Sequence, residues 1–196
     1  VRKSKSLDGA YFEGLYAADP DPWGFASRDY EARKYAATLA ALGPGRVRRG
    51  LEMGCSIGVF TRQLAPRCEA LVATEVSRTA LDQARARCAD LDNIVFRLVD
   101  RAADGIGGAF DLMVLSEIVY YWDDEDLAAV AEAIDRALAP DGRLLLVHWL
   151  GETDYPRSGD DAVAALASRL TFRRREERED RTDQYRLDLW RRAAGD

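Results

Sequence analysis

Short apolar runs alternate along the chain with segments whose apolar positions recur every three or four residues. LVAT from residue 71, LMVL from 112 and LLLV from 144 are unbroken by polar residues. Strands covered by helices on both faces read this way, whereas strands with one wet face alternate. The runs predict a strand ending at 50–53 and further strands over 70–74, 93–99, 110–115 and 143–149. Helical spacing predicts a helix over 30–42, where Tyr35, Leu39 and Leu42 share a face and Gly43-Pro44-Gly45 stops it. Others are predicted over 57–64, after Ser77 to 88, from an Asp124 cap through Leu127, Val130, Ile134 and Leu138, and over 161–170. The tail differs. Residues 170–179 and 185–190 read as two strands about a polar turn, with Tyr185, Leu187 and Leu189 alternating, and the mixed charges of 173–183 as their solvated face.

Strand–helix alternation at this pace predicts an α/β fold: a doubly wound, mostly parallel seven-stranded sheet with a C-terminal antiparallel hairpin and an N-terminal helical lid. Residues 1–42 are expected to form an aromatic arm or lid and a helix, and 43–196 the ligand-binding domain, one domain overall. The stretch before residue 29 is turn-rich (Asp19-Pro20-Asp21-Pro22) and carries Tyr11, Phe12, Tyr16, Trp23 and Phe25. It reads equally as an arm packed on the domain or as a lid over a ligand.

Composition narrows the function classes. With 47% apolar and 32% charged residues, the 196-residue chain has material for one sizeable core. A net charge of -6 argues against a nucleic-acid partner. No run reaches the roughly 20 apolar residues of a membrane helix, so no membrane partner is expected. Three cysteines without a CxxC pair make no disulfide framework, and His148, the single histidine, excludes a multi-histidine metal site. The basic first residues lead into no apolar stretch, so the expected location is cytoplasmic. The sequence sets no oligomeric state.

The chemistry gathers at the ends of the predicted strands. Leu51-Glu52-Met53-Gly54-Cys55-Ser56-Ile57-Gly58 follows the first strand and opens a helix, where parallel sheets bind ligands. Ser56 and Val59 stand where a dinucleotide fingerprint needs glycines, which disfavours an NAD-dependent oxidoreductase, and no Gly-Lys-Ser/Thr follows to make a P-loop. Glu75 ends the second strand, where a carboxylate can accept both hydroxyls of a ribose. Asp100 follows the third strand, and Ser116, Glu117, Tyr120 and Tyr121 follow the fourth. The acids of 123–126 sit at a helix N-terminus, where the macrodipole favours them, so no metal is expected. Cys55 and Cys88 read as buried fillers.

The ExGxxxG motif (Glu52, Gly54, Gly58), Glu75, Asp100 and the LAPDG turn before the fifth strand resemble those of class I S-adenosylmethionine-dependent methyltransferases, with a Rossmann-like fold. The flanks are similar to a narrower group. Trp23-Gly24-Phe25, YEARKY from Tyr30, LEMGCSIGVFT, LSEIVYYW and HWLGETDYP from His148 resemble the nodulation protein S (NodS) methyltransferases over nearly the whole chain. That family N-methylates the free amine of a partly deacetylated chitooligosaccharide, and relatives in secondary metabolism modify sugars. Two positions depart from it: the strand-two acid, commonly Asp, is Glu75, and Arg101 stands where an apolar residue usually follows Asp100.

The resemblance implies S-adenosyl-L-methionine as cofactor, S-adenosyl-L-homocysteine as product and a small-molecule sugar or glycoside as acceptor. Cofactor contacts are expected from Gly54, Cys55, Ser56, Gly58, Glu75, Val76, Asp100, Arg101, Ser116 and Glu117, with Arg33 on the methionyl carboxylate and Trp23 and Tyr30 closing over the site. Glu117 and His148 are the candidate general bases, although a lone strand histidine equally suits a packed position. Tyr120, Tyr121 and Trp149 are the candidate walls of the acceptor pocket. An amine acceptor ranks first and a sugar hydroxyl second. A catalytically silent binding module is the reading from a different class.

Overall fold

The computed structural model describes residues 2–194. Asp8 accepts the Tyr11 N–H at 2.9 Å and caps helix α1, Gly9–Ala18, in the turn-rich segment read from sequence as an arm or a lid. Phe12 and Tyr16, four residues apart, form its buried face, and Glu13 ties it to the domain. Helix α2, Asp29–Ala41, buries Glu31, Lys34, Tyr35, Thr38 and Ala41; Leu39 of the predicted face is only half-buried.

The remaining elements follow the predicted order. They are β1 (Val47–Met53), α3 (Val59–Leu64), β2 (Cys68–Glu75), α4 (Arg78–Arg87), β3 (Ile94–Leu98), β4 (Phe110–Ser116), α5 (Asp124–Ala137), β5 (Leu138–Trp149), α6 (Gly159–Arg169), β6 (Arg174–Arg181) and β7 (Tyr185–Arg192). Ser77 caps α4 as predicted, accepting the Ala80 N–H at 3.2 Å. The α5 cap is Asp123 rather than Asp124; it accepts the N–H groups of Glu125 and Asp126 and leaves Asp124 inside the first turn. The tail hairpin starts at Arg174, later than predicted, because Leu170 closes α6 and Phe172 is buried behind it.

The strands form one seven-stranded sheet in the order β3-β2-β1-β4-β5-β7-β6. The pairings among β3, β2, β1, β4 and β5 are parallel, and β7 runs antiparallel to both β5 and β6. This is the class I, Rossmann-like arrangement with its added hairpin. The order reverses between β1 and β4, which opens a crevice at their carboxyl ends.

Helices explain the unbroken apolar runs. On one face Leu51, Met53, Met113, Leu115, Leu144 and Leu146 pack with Phe12 of α1, Leu127 and Ile134 of α5 and Leu166 of α6. On the other, Leu112, Val114, Leu145 and Val147 pack with Tyr35 of α2 and Phe60 and Leu64 of α3. The edge strand β3 escapes this cover, with Val95 and Leu98 exposed. No helix among the described residues is long and apolar enough to cross a membrane.

Candidate active site

A cleft lies at the carboxyl ends of β1, β2 and β4, where parallel sheets bind their ligands. Its floor is built by Met53 and Gly54, Thr74 and Glu75, and Ser116 and Glu117. Phe12 and Tyr16 of α1 cover it, with Trp23 and Phe25 from the following loop. Val99, Asp100, Arg101 and Ala102 form one wall, and Ile118, Tyr121 and Trp122 line the site after β4.

The turn after β1 is shaped by two glycines. Gly54 has φ +72°, and a Cβ there would meet Ile118 Cγ2 at 2.6 Å. Gly58 has φ +78°, and a Cβ there would meet the Ala84 backbone at 2.8 Å. Between them Ser56 takes φ +50°, its hydroxyl 2.5 Å from that of Tyr16. Cys55 is buried behind the turn and Gly58 caps α3, so both shape the cleft without lining it.

Glu75 is buried and faces this turn. Its Oε2 accepts the Ser56 N–H at 2.8 Å, and its Oε1 accepts those of Val76 and Ser77 at 2.8 and 3.0 Å. Burial raises its pKa above the usual carboxylate value against the pull of these three bonds. Arg101 lines the cleft as expected, but its guanidinium is held by Asp126 at 2.6 Å. Asp8, Glu75, Asp100, Glu117 and Asp126 are the acids in the lining and Arg101 is its one base, so the charge balance favours a cationic ligand.

Glu117 follows β4 with φ +60°, an uncommon conformation for a residue with a side chain. Its Oε1 accepts the Lys34 Nζ at 2.6 Å; its Oε2 accepts the Tyr120 hydroxyl and the Trp149 N–H, each at 2.7 Å. Burial works to raise its pKa, but the Lys34 charge and the hydrogen bonds outweigh it and hold the carboxyl below its usual range.

Several sequence candidates stand elsewhere. Arg33 is exposed and lies outside the cleft lining; neighbouring helix residues point about 100° apart, and Lys34 is the one turned inward. His148 is fully buried in β5, outside the cleft. Its Nε2 accepts the Val119 N–H at 3.3 Å, its Nδ1 has no partner, and burial pushes its pKa down to about 4. That position and the occupied lone pair do not suit a general base acting in the cleft. Tyr120 turns inward to Glu117 and stacks on Tyr155, leaving Tyr121 as the tyrosine of the pair that lines the site. Tyr30 and Trp149 lie outside the lining and pack edge to face on each other, 5.6 Å between centroids.

Trp23, Gly54, Ser56, Glu75, Val76, Asp100, Arg101, Ser116, Glu117 and Tyr121 are brought to the cleft. The sequence reading missed Lys34 as a buried cation and Asp126 as a cleft residue, and left Phe12, Tyr16 and Phe25 open between a packed arm and a lid. For Phe12 and Tyr16 the signal was present in an Asp8 cap followed by an aromatic pair at helical spacing. Lys34 left a fainter one, an alignment with Glu31, Thr38 and Ala41 that a polar residue ordinarily disqualifies from a core face. Among the described residues no group of three or more His, Cys, Asp or Glu side chains is arranged to hold a metal ion.

The sequence profile of Nodulation protein S (NodS) matches residues 13–153. Nodulation protein S of Rhizobium tropici is 36% identical over 132 residues, 66% of this chain and 55% of that protein. A putative methyltransferase from Pseudomonas syringae is 37% identical, with a TM-score of 0.74 over 84% of this chain and 100% of that one. The N-methyltransferase NodS from Bradyrhizobium japonicum WM9, solved in complex with S-adenosyl-L-homocysteine, shares the fold at 24% identity, with a TM-score of 0.77 over 95% of this chain and 99% of that one. The matches span 55% to 61% of the length of three curated nodulation protein S relatives.

Proposed function

The chain belongs to the nodulation protein S family, and from that premise we propose that it is an S-adenosylmethionine-dependent methyltransferase whose acceptor is an amine of a sugar or glycosylated small molecule. The observation that carries the reading is Glu75, a buried carboxylate at the end of β2, lining the cleft beside a turn where Gly54 leaves no room for a Cβ. A ribose fits such a carboxylate, and a close-packed cofactor fits such a turn.

When bound, S-adenosylmethionine supplies a methyl group already activated on a sulfonium. The chain's own part is to hold, orient and keep dry. Glu75 takes a ribose hydroxyl on the lone pair of Oε2 that its three N–H donors leave free, and Asp100 serves the adenine side. With Arg33 in solvent, the methionyl carboxylate falls to neutral donors, of which the Tyr16 and Ser56 hydroxyls line the cleft. Phe12, Tyr16, Trp23 and Phe25 exclude water above them.

The acceptor side favours nitrogen. A hydroxyl must lose its proton as it attacks, which calls for a base tuned near the working pH. Glu117 is held below the usual carboxylate range and His148 lies outside the cleft, so neither of the two candidates serves. A free amine already carries its lone pair and needs chiefly to be placed, with Glu117 and Tyr121 at hand.

Mass spectrometry of the protein incubated with S-adenosylmethionine and matched amino, N-acetylated and hydroxyl sugars tests this. One methyl gained by the free-amine members is expected. Methylation confined to hydroxyls overturns the choice of nitrogen. Tight donor binding with no transfer to any acceptor favours the silent module.

A further inference from the structure

Lys34 is among the largest fully buried side chains of the described residues, and its ammonium lies between two carboxylates, 2.6 Å from Glu117 and 2.9 Å from Glu31. It also lies over the Tyr30 ring, 5.1 Å from the centroid. A lysine is almost never buried this fully unless it is paired, since a charge removed from water is costly. The pairing joins α2 to the end of β4 across 83 residues of sequence. Lys34 does not line the cleft, but Glu117 does.

The groups facing Glu117 can be named from each element around it. Helix α2 presents Tyr30, Glu31, Lys34 and Tyr35. The turn Val119–Tyr121 presents Tyr120 and Tyr121, and β5 presents His148 and the Trp149 N–H. The phenols and the depressed imidazole are neutral near pH 7, and Glu31 repels. Among the described residues Lys34 is therefore the one positive charge holding the Glu117 carboxylate in its strained backbone position.

We propose that Lys34 is a positioning residue for methyl transfer, fixing the Glu117 carboxylate at the cleft so that it faces the acceptor nitrogen as an anion. The proposal rests on the reading of the preceding subsection. In the transfer the nitrogen lone pair forms the new N–CH3 bond while the S–CH3 bond breaks and its electron pair stays on sulfur. Positive charge moves from sulfur to nitrogen, and the nitrogen-bound proton then leaves to water. A fixed carboxylate beside the nitrogen favours that movement of charge in a site shielded from water. Without Lys34, burial and Glu31 both favour protonated Glu117, and the charge is lost unless the pH is raised.

The test is the pH dependence of kcat/KM for an amine acceptor in Lys34→Met, which is one atom shorter and removes the charge, beside Lys34→Arg. In Lys34→Met the acid limb is expected to move up by about one pH unit or more, so that kcat/KM at pH values below the limb falls about tenfold and recovers as the pH is raised. Donor affinity by calorimetry should stay within about twofold, and Lys34→Arg should return the limb toward its wild-type position. A uniform loss with the acid limb unmoved overturns the proposal, since that is what a merely structural lysine gives. If Lys34→Met does not fold, Glu31→Gln decides. Relieving Glu117 of its neighbouring charge should move the limb down, and an unmoved or raised limb overturns the proposal. Wild-type protein that binds no donor or methylates no amine would instead refute the underlying function.

Discussion

Gly54 and Glu75 carry the cleft floor between them, one by lacking a side chain and the other by turning its side chain inward. Gly54→Ala puts a side chain at φ +72° and 2.6 Å from Ile118 Cγ2. The left-handed backbone alone costs about 1–2 kcal/mol, so denaturant unfolding should show at least that loss together with weakened donor binding. Full stability and full affinity in the variant would mean that the turn does not need its glycine. Glu75→Gln keeps the volume and removes the charge. Donor binding by calorimetry is expected to weaken by about 1.5–3 kcal/mol, the range for a hydrogen bond to a charged group. Unchanged affinity would remove Glu75 from the site.

At the scale of elements, caps and helical faces decide which residue of a neighbouring pair does the work. Asp123 caps α5 and Asp124 does not, although both are acids in the same run. Asp123→Ala should cost about 1 kcal/mol of stability, as a lost N-cap does. Asp124, 79% exposed in its pairs with Arg157 and Arg169, should cost only a few tenths of a kcal/mol when replaced by Ala, as exposed ion pairs do. Equal losses by chemical unfolding would contradict the cap assignment. Helix α2 makes the same distinction between Arg33 and Lys34: a turn of about 100° per residue puts one in water and the other in the core.

For the molecule as a whole, two buried groups set opposing pH slopes on stability. Burial pushes His148 down from 6.5 to about 4 and Glu52 up from 4.5 to about 8, and Glu52 Oε2 also lacks a partner. The folded value of His148 lies below its unfolded one, so its contribution is complete above about 6.5 and lost as the pH falls toward 4. The folded value of Glu52 lies above its unfolded one, so its contribution is complete below about 4.5 and lost as the pH rises to about 8. Thermal unfolding across this range should find Glu52→Gln gaining on the wild type as the pH rises. It should find His148→Phe losing less than the wild type on acidification. Parallel curves would mean that neither group is buried as described.

The succession of strands and helices and the glycine turn were legible in the sequence because their signals are local. An unbroken apolar run records cover on both faces, a glycine marks a turn that a side chain would obstruct, and an acid at a strand end stands at the crevice by the geometry of a parallel sheet. The same local logic set no bounds for α1, where Gly9 and Gly14 obscure the helical period, and misplaced the α5 cap, where adjacent acids look alike. What the tertiary structure alone decided is which way each polar side chain turns and what it meets. His148 goes into the core, Tyr120 turns inward while Tyr121 lines the cleft, and Lys34 finds Glu117 from 83 residues away. A buried charge is stable only beside its partner, and that partner is set by the packing of distant elements rather than by the residues next to it in the chain.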